Sequence, residues 1–432
     1  MKIRLRPALF ALLAALGACA SAHTQPTPTD LRSAGPAPDS LRIRADIAYL
    51  ASDRLEGRRA GTPGNDSAAA YIVRRYQSLG LAAMTPVTYL QPFVARPAAG
   101  AHSKAEALPT QNVVAMLAGT DPVLRNQWVV VGAHFDHLGR STEDALDPEA
   151  GNAIRNGADD NASGTAAVME LARIFTASPT RRSLMFVNFS AEEEGLLGSA
   201  WFVDHAPVAL DSIDMMVNFD MVGRLRNGRL IVYGVATAPE FPALLDSANG
   251  NRVKIFGQGD GFGPSDQSSF YAKNVPVLHF FTDLHEDYHK ATDDIEKINA
   301  GGEATVVGIA ERVIRDVANR PHRVTFVRVA TKPTMAAPAS GGGDVYFGSI
   351  PDMAAGDIPG ERVTGITPGS PADVAGLKAG DIVVEFAGLP VTDLETYSQA
   401  MYAHKPGDVV KVVVLRNGQR LTLTVTLGRR GG

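Results

Sequence analysis

The chain has 432 residues, 45% of them hydrophobic, and a formal net charge of -5, from 41 Lys and Arg against 46 Asp and Glu. That balance excludes the basic footprint of a nucleic-acid-binding protein. The length allows more than one buried core, so two folded domains are expected, and no repeat with a period of roughly 20–50 residues points to a solenoid.

In chain order, the first segment reads as a targeting signal. Lys2, Arg4 and Arg6 precede an apolar run, Ala8 to Leu16, that is too short to span a bilayer, and small residues follow. Residues 1–18 are therefore expected to be a signal peptide. Leu16-Gly17-Ala18-Cys19 resembles a lipobox, and Cys19 is the sole cysteine; the plainer reading is an incidental cysteine beside an ordinary cleavage site. A lipidated Cys19 would begin a Ser-, Thr- and Pro-rich tether over residues 19–39. Ala20 is not the usual Asp of inner-membrane retention, so the expected place is the outer membrane, facing the periplasm and held by the lipid alone. With one cysteine, no intrachain disulfide can form.

Residues 40–330 alternate between strand and helix patterns. Short apolar runs rich in β-branched and aromatic residues mark strands at Trp128 to Val131, Leu184 to Phe189, Met215 to Phe219, Leu230 to Tyr233 and Val277 to Phe281. Apolar residues every three or four positions mark helices at Ala166 to Phe175 and Val306 to Val317. Runs this apolar suit strands covered on both faces, which predicts an α/β sandwich: a mostly parallel sheet flanked by helices. Ligands of such sheets bind past the carboxyl ends of the strands.

Acidic and histidine residues fall at those ends. Gly132-Ala133-His134-Phe135-Asp136-His137 follows the first strand, Ala191-Glu192-Glu193-Glu194-Gly195 the second and Asp220 the third. Two further clusters are Gly157-Ala158-Asp159-Asp160-Asn161-Ala162-Ser163-Gly164, entering a helix, and Tyr288-His289-Lys290-Ala291-Thr292-Asp293-Asp294, after the last strand. Taken singly, an Asp-Asn-Ala-Ser-Gly run is commonly an N-cap and a Glu triplet a solvated face. Their joint placement favours metal ligands.

These motifs, over roughly Leu41 to Asn319, resemble the di-zinc aminopeptidase family that includes secreted bacterial leucine aminopeptidases, aminopeptidase Y, glutamate carboxypeptidase and the glutaminyl cyclases. The resemblance implies two zinc ions, one on His134 and Asp220, the other on Glu193 and His289, with Asp160 bridging them. It implies Glu192 as general base, Asp136 as the carboxylate that orients His134, and Tyr288 as a stabiliser of the tetrahedral intermediate. His137 and His285 are expected to hydrogen-bond rather than ligate, and Asp159 to be a cap or loop residue. Asp266 reads as either a supporting carboxylate or an N-cap. The protease-associated domain often inserted in this family is not expected, since Val87 to Gln111 is too short to hold one.

Residues 331–343 read as a linker, Ala-, Pro-, Ser- and Gly-rich from Ala336 to Gly343. In residues 344–429, strands are expected at Val363 to Ile366, Ile382 to Phe386 and Val409 to Leu415, a helix at Leu394 to Tyr402 and a hairpin turn at Asn417-Gly418. The run Gly369-Ser370-Pro371-Ala372-Asp373-Val374-Ala375-Gly376-Leu377-Lys378-Ala379-Gly380-Asp381 resembles bacterial PDZ domains, small β-rich α+β units. That resemblance implies a groove for a peptide C-terminus, with Tyr346-Phe347-Gly348-Ser349-Ile350 as its carboxylate loop and strand; the alternative is a PDZ fold that binds no peptide.

The sequence therefore points to a zinc-dependent aminopeptidase acting on peptides with a free N-terminus. Glutaminyl cyclase-like activity, carboxypeptidase activity and an inactive PDZ adaptor remain open.

Overall fold

The structure, a computed structural model, describes residues 35–96, 107–142, 145–263, 265–329, 345–351, 358, 360–366, 369–392, 396–397, 400–401 and 403–429. Cys19, the signal segment, the tether to residue 34 and the linker from Ala336 to Gly343 lie outside the described residues. Among the described residues, no helix is long and apolar enough to cross a membrane.

Strands β1 (Ala82–Ala83), β2 (Leu90–Ala95), β3 (Leu108–Leu117), β4 (Trp128–His134), β5 (Ser183–Phe189), β6 (Ile213–Phe219), β7 (Arg229–Tyr233), β8 (Lys254–Gln258) and β9 (Val277–Phe281) form one sheet. Their order is β1-β3-β5-β4-β6-β9-β7-β8, with β2 paired to β3. The expected parallel arrangement occupies the centre, where β5, β4, β6 and β9 run side by side in one direction. At the margins β3 and β7 run antiparallel to their inner neighbours, so the sheet as a whole is mixed.

Burial on both faces explains the continuous apolar runs. In β4, Val129, Val131 and Ala133 enter one core together with Ile47, Val168, Leu171 and Ile314, whereas Val130 enters a second core with Phe202 and Phe270. The first core joins helices α1 (Ser40–Leu50), α2 (Pro63–Ser78) and α3 (Gly164–Ala177) to later helices of the chain. Those are α5 (Phe241–Asn249) and α7 (Ala300–Asn319). The second is covered by α4 (Leu197–Asp204) and α6 (Gln267–Ala272). Helix starts follow side-chain chemistry: Asp39 accepts from Leu41 N, Thr62 from Asn65 N just ahead of Pro63, and Asn299 from Gly302 N.

Glu303, one turn into α7, is fully buried, and neither of its carboxyl oxygens has a hydrogen-bond partner. Burial, reinforced by Asp159 and Asp46, pushes its carboxyl well above the ordinary range. The native chain thus holds this proton more tightly than the unfolded chain. Its contribution to stability is complete below the unfolded value, about 4.3, and is lost as pH rises towards the folded value. Glu303→Gln is expected to melt with wild type at about pH 4 and above it at about pH 8, by roughly 2–4 °C per kcal/mol relieved. Thermal melts at both pH values check this; equal melting at the higher pH would contradict it.

The C-terminal region forms β10 (Val345–Tyr346), β11 (Ser349–Pro351), β12 (Glu361–Ile366), α8 (Pro371–Val374), β13 (Ile382–Phe386), β14 (Leu389–Pro390), β15 (Val409–Arg416), β16 (Gln419–Thr426) and β17 (Gly428–Arg429). β11-β12-β13-β15-β16 are antiparallel neighbours around a core of Val345, Phe347, Val363, Phe386, Val412 and Val414. Asn417 and Gly418 both take positive φ, 51° and 80°, as a tight primed turn between β15 and β16 requires. Of the helix expected at Leu394 to Tyr402, Thr396, Tyr397, Ala400 and Met401 are described, and all four are helical.

Candidate metal centre

Because β5, β4, β6 and β9 are adjacent and parallel, their carboxyl ends lie along one edge of the sheet. His134 is the last residue of β4, Asp220 the first after β6, Glu192 and Glu193 lie three and four residues past β5, and His289 follows β9 by a loop. Asp160 reaches the same edge from the segment leading into α3, and its peptide bond to Asn161 is cis.

Glycine is required beneath that segment. Gly157 has φ 56°, and a Cβ there would lie 1.9 Å from the Asp160 carbonyl oxygen and 2.5 Å from the His137 ring. Non-glycine residues also take left-handed backbone beside the acids: Ala191 (φ 60°), Met221 (φ 51°) and His289 itself (φ 54°). Such backbone collects where surrounding structure over-determines a site.

The five expected ligands converge. His134 Nε2 stands 3.5 Å from Asp160 Oδ1 and 3.4 Å from Asp220 Oδ1. His289 Nε2 stands 3.2 Å from Asp160 Oδ2 and 3.2 Å from Glu193 Oε2. The two oxygens of Asp160 therefore face two separate donor groups. Four donors about 2.0–2.1 Å from a tetrahedral zinc lie about 3.3–3.4 Å from one another, so these spacings fit donors that share a cation. His134 Nε2 and Asp220 Oδ1 are moreover buried without any hydrogen-bond partner, which a bound ion would supply.

Glu192 Oε2 is farther away, 3.8 Å from His134 Nε2, with 11% side-chain exposure. Asp136 supports the acids from below: its carboxylate accepts from Glu192 N at 3.2 Å and Glu193 N at 3.4 Å and stands 3.6 Å from His134 Nδ1. The two adjacent glutamates diverge electrostatically. Burial, then the negative charges of Glu193, Asp220 and Asp266, hold the Glu192 carboxyl well above its ordinary range despite His134. Burial also opposes ionisation of Glu193, but His289 and His137 outweigh it and hold that carboxyl well below its ordinary range. Paired carboxylates driven apart in this way suit separate roles, one carrying protons and the other holding charge.

Other residues fall as follows. His137 is buried with Nδ1 2.6 Å from Glu193 Oε1, a hydrogen-bonding position, yet it also groups with Asp160 and Glu193 within ligand range. Asp159 accepts from Gly223 N and lies 3.1 Å from His285 Nε2, which pairs these two outside the cluster. Asn161, not Asp159, caps the segment, accepting from Gly164 N at 2.8 Å. Asp266 stands at the N-cap position of α6 but makes no side-chain cap hydrogen bond; it is fully buried, and burial raises its pKa to about 7. Tyr288 stacks on His289 with ring centroids 3.8 Å apart.

Residues 112–314 match the model of Peptidase family M28, and residues 345–427 match that of the PDZ domain. The region from 112 to 314 is thus similar to peptidase family M28. The chain is 28% identical over 291 residues to leupeptin-inactivating enzyme 1 of Streptomyces exfoliatus, spanning 66% of this chain and 57% of that protein. It is 44% identical over 158 residues to aminopeptidase YwaD of Bacillus subtilis, spanning 33% and 34%. The chain thus spans about half the length, or less, of these relatives. Its M28 region shares the fold of a Zn-dependent exopeptidase from Parabacteroides distasonis, with TM-score 0.56 at 17% identity over 66% of this chain and all of that one. A Bacteroides thetaiotaomicron glutaminyl cyclase has the same fold, with TM-score 0.54 at 15% identity over 65% of this chain and 99% of that one.

Proposed function

We propose that the M28 region is a two-zinc aminopeptidase that hydrolyses the N-terminal residue from peptides. The observation that carries this reading is that one oxygen of Asp160 faces His134 and the other faces His289, the histidines that stand beside Asp220 and Glu193 respectively. His134, Asp220 and Asp160 would hold one ion, and Glu193, His289 and Asp160 the other. When bound, zinc supplies Lewis acidity towards a carbonyl and lets water ionise near neutral pH.

The chain's own residues supply the remaining chemistry. Glu192, beside the cluster, takes a proton from the attacking water and returns it to the departing amine, a double duty for which a raised carboxyl pKa is suited. The aminopeptidase names of relatives support cleavage at the N-terminal end. Tyr288, stacked on His289, is proposed to donate to developing negative charge. Burial, then Asp160 and Glu193, keep its phenol protonated well above the usual value. Tyr288→Phe is expected to lower kcat roughly 10²–10³-fold, as removal of one oxyanion donor does, with zinc content unchanged. Unchanged kcat would assign the ring to packing alone.

The likeness to a glutaminyl cyclase fold keeps a second reading in view. A panel of free-amine aminoacyl substrates, N-blocked counterparts and an N-terminal glutamine peptide separates the two. Hydrolysis of free-amine substrates alone supports the aminopeptidase, and cyclisation without hydrolysis overturns it. The PDZ region is proposed to bind a peptide C-terminus of substrate or partner. The lipobox-like Cys19 supports an outer-membrane lipoprotein facing the periplasm.

A further inference from the structure

Arg58 heads the fully buried large side chains of the protein. Among the described residues no carboxylate lies within ion-pair distance of it. Instead, its guanidinium donates to five backbone carbonyls. Nε donates to Phe135 at 2.7 Å, Nη1 to Leu50 at 3.1 Å and to Asn156, and Nη2 to Gly157 at 2.7 Å and Asp160 at 3.3 Å. Those contacts engage all five N–H donors that arginine possesses. Its backbone sits at φ 42°, and its own carbonyl accepts from Asn65 Nδ2 at 3.1 Å.

The five carbonyls are not a random set. Phe135 lies between His134 and Asp136, while Asn156, Gly157 and Asp160 belong to the segment that delivers the bridging carboxylate. The opposite side of that segment faces an anion. Asp293 accepts the amides of Asp159 and Asp160 on its carboxylate at 2.9 and 3.0 Å, and that of Ala158 on its carbonyl at 3.0 Å. Arg224 holds the other Asp293 oxygen at 2.7 Å. The carbonyls of Asn156, Gly157 and Asp160 thus point at a cation and the amides of Ala158, Asp159 and Asp160 at an anion, which fixes the orientation of those peptides.

We propose that Arg58 is a positioning residue of the metal centre, a buried cation that ties the His134–Asp136 turn to the Asp160 segment and so sets the separation of His134 and Asp160. The inference rests on the two-zinc reading above. Lysine keeps the charge but has one compact head that cannot reach carbonyls on both segments in a planar fork.

The test is zinc titration of the full chain against a chromophoric chelator, with circular dichroism to establish folding, on wild type, Arg58→Lys and Arg182→Lys. Arg182 is an equally buried arginine that bonds Gln127, Val317 and Arg320 and pairs with Asp214, away from the ligands. Arg58→Lys is expected to weaken zinc binding roughly 10–100-fold, the loss typical of a residue that supports ligands, while folded Arg182→Lys keeps wild-type affinity. Two zinc ions bound by Arg58→Lys at wild-type affinity, or equal zinc loss in both arginine variants, would overturn the proposal. If Arg58→Lys does not fold, Asn65→Ala decides, since it frees the Arg58 backbone without removing the charge: weakened zinc binding supports the proposal and wild-type affinity overturns it. Wild type holding two ions beside an unaltered Arg58→Lys sinks this inference alone; wild type holding none sinks the two-zinc reading with it.

Discussion

Glu192→Gln is expected to keep both zinc ions and lose roughly 10²–10⁴-fold in kcat, the usual contribution of a positioned acid–base group. The substitution preserves shape and removes only the capacity to accept and return a proton. Metal retention is expected because Glu192 Oε2, though within ligand range of His134 and Glu193, lies 3.8 Å from His134 Nε2, beyond the 3.2–3.5 Å spacings that join His134, His289, Asp160, Glu193 and Asp220. Its backbone amide stays on Asp136 whichever side chain it carries. Zinc content and kcat measured on the same preparation separate the two effects. Near-wild-type turnover would remove Glu192 from the mechanism, and loss of zinc along with activity would make it a ligand instead.

Asp160→Asn should be the most damaging ligand change, because in the proposed two-zinc site Asp160 faces His134 with one oxygen and His289 with the other. An amide offers one oxygen and no charge, so both positions are expected to weaken, each by at least the roughly 10–100-fold that loss of even a supporting residue causes. Asp220→Asn touches only the group around His134. After dialysis it is expected to keep about one zinc per chain, whereas Asp160→Asn keeps little of either, as a two-ion site with a single bridge requires. Equal zinc content in the two variants would show that Asp160 does not bridge.

Much of this site was legible because its ligands sit at the ends of buried strands. β4, β5, β6 and β9 are short apolar runs, and the acids and histidines stand out against them. The margins were less legible. β3 carries Thr110, Gln111 and Asn112, whose side chains are satisfied by Asn65, Gln91 and Ser190, partners distant in sequence. β2 contains Pro92, which is tolerated because β2 pairs with β3 alone. Helix α2 opens with Pro, Gly, Asn, Asp and Ser, a composition closer to a loop than to a helix.

Residues that act on backbone were invisible for a different reason. Arg58 has no motif of its own, and its partners lie 8 to 102 residues away as carbonyls, which every residue possesses. Asp266 has the sequence of a helix cap but the surroundings of a buried acid. His137 drew notice only as one of two histidines in a short motif, and its distance to Glu193 was needed to bring it into the cluster.

The most direct test of the central claim is hydrolysis of free-amine and N-blocked aminoacyl chromogenic substrates by the purified protein, before chelation, after it and after zinc is restored. The account predicts cleavage of free-amine substrates only, lost on chelation and regained with about two zinc ions per chain. Cleavage that survives complete removal of metal, or silence across the panel with two zinc ions bound, would contradict it.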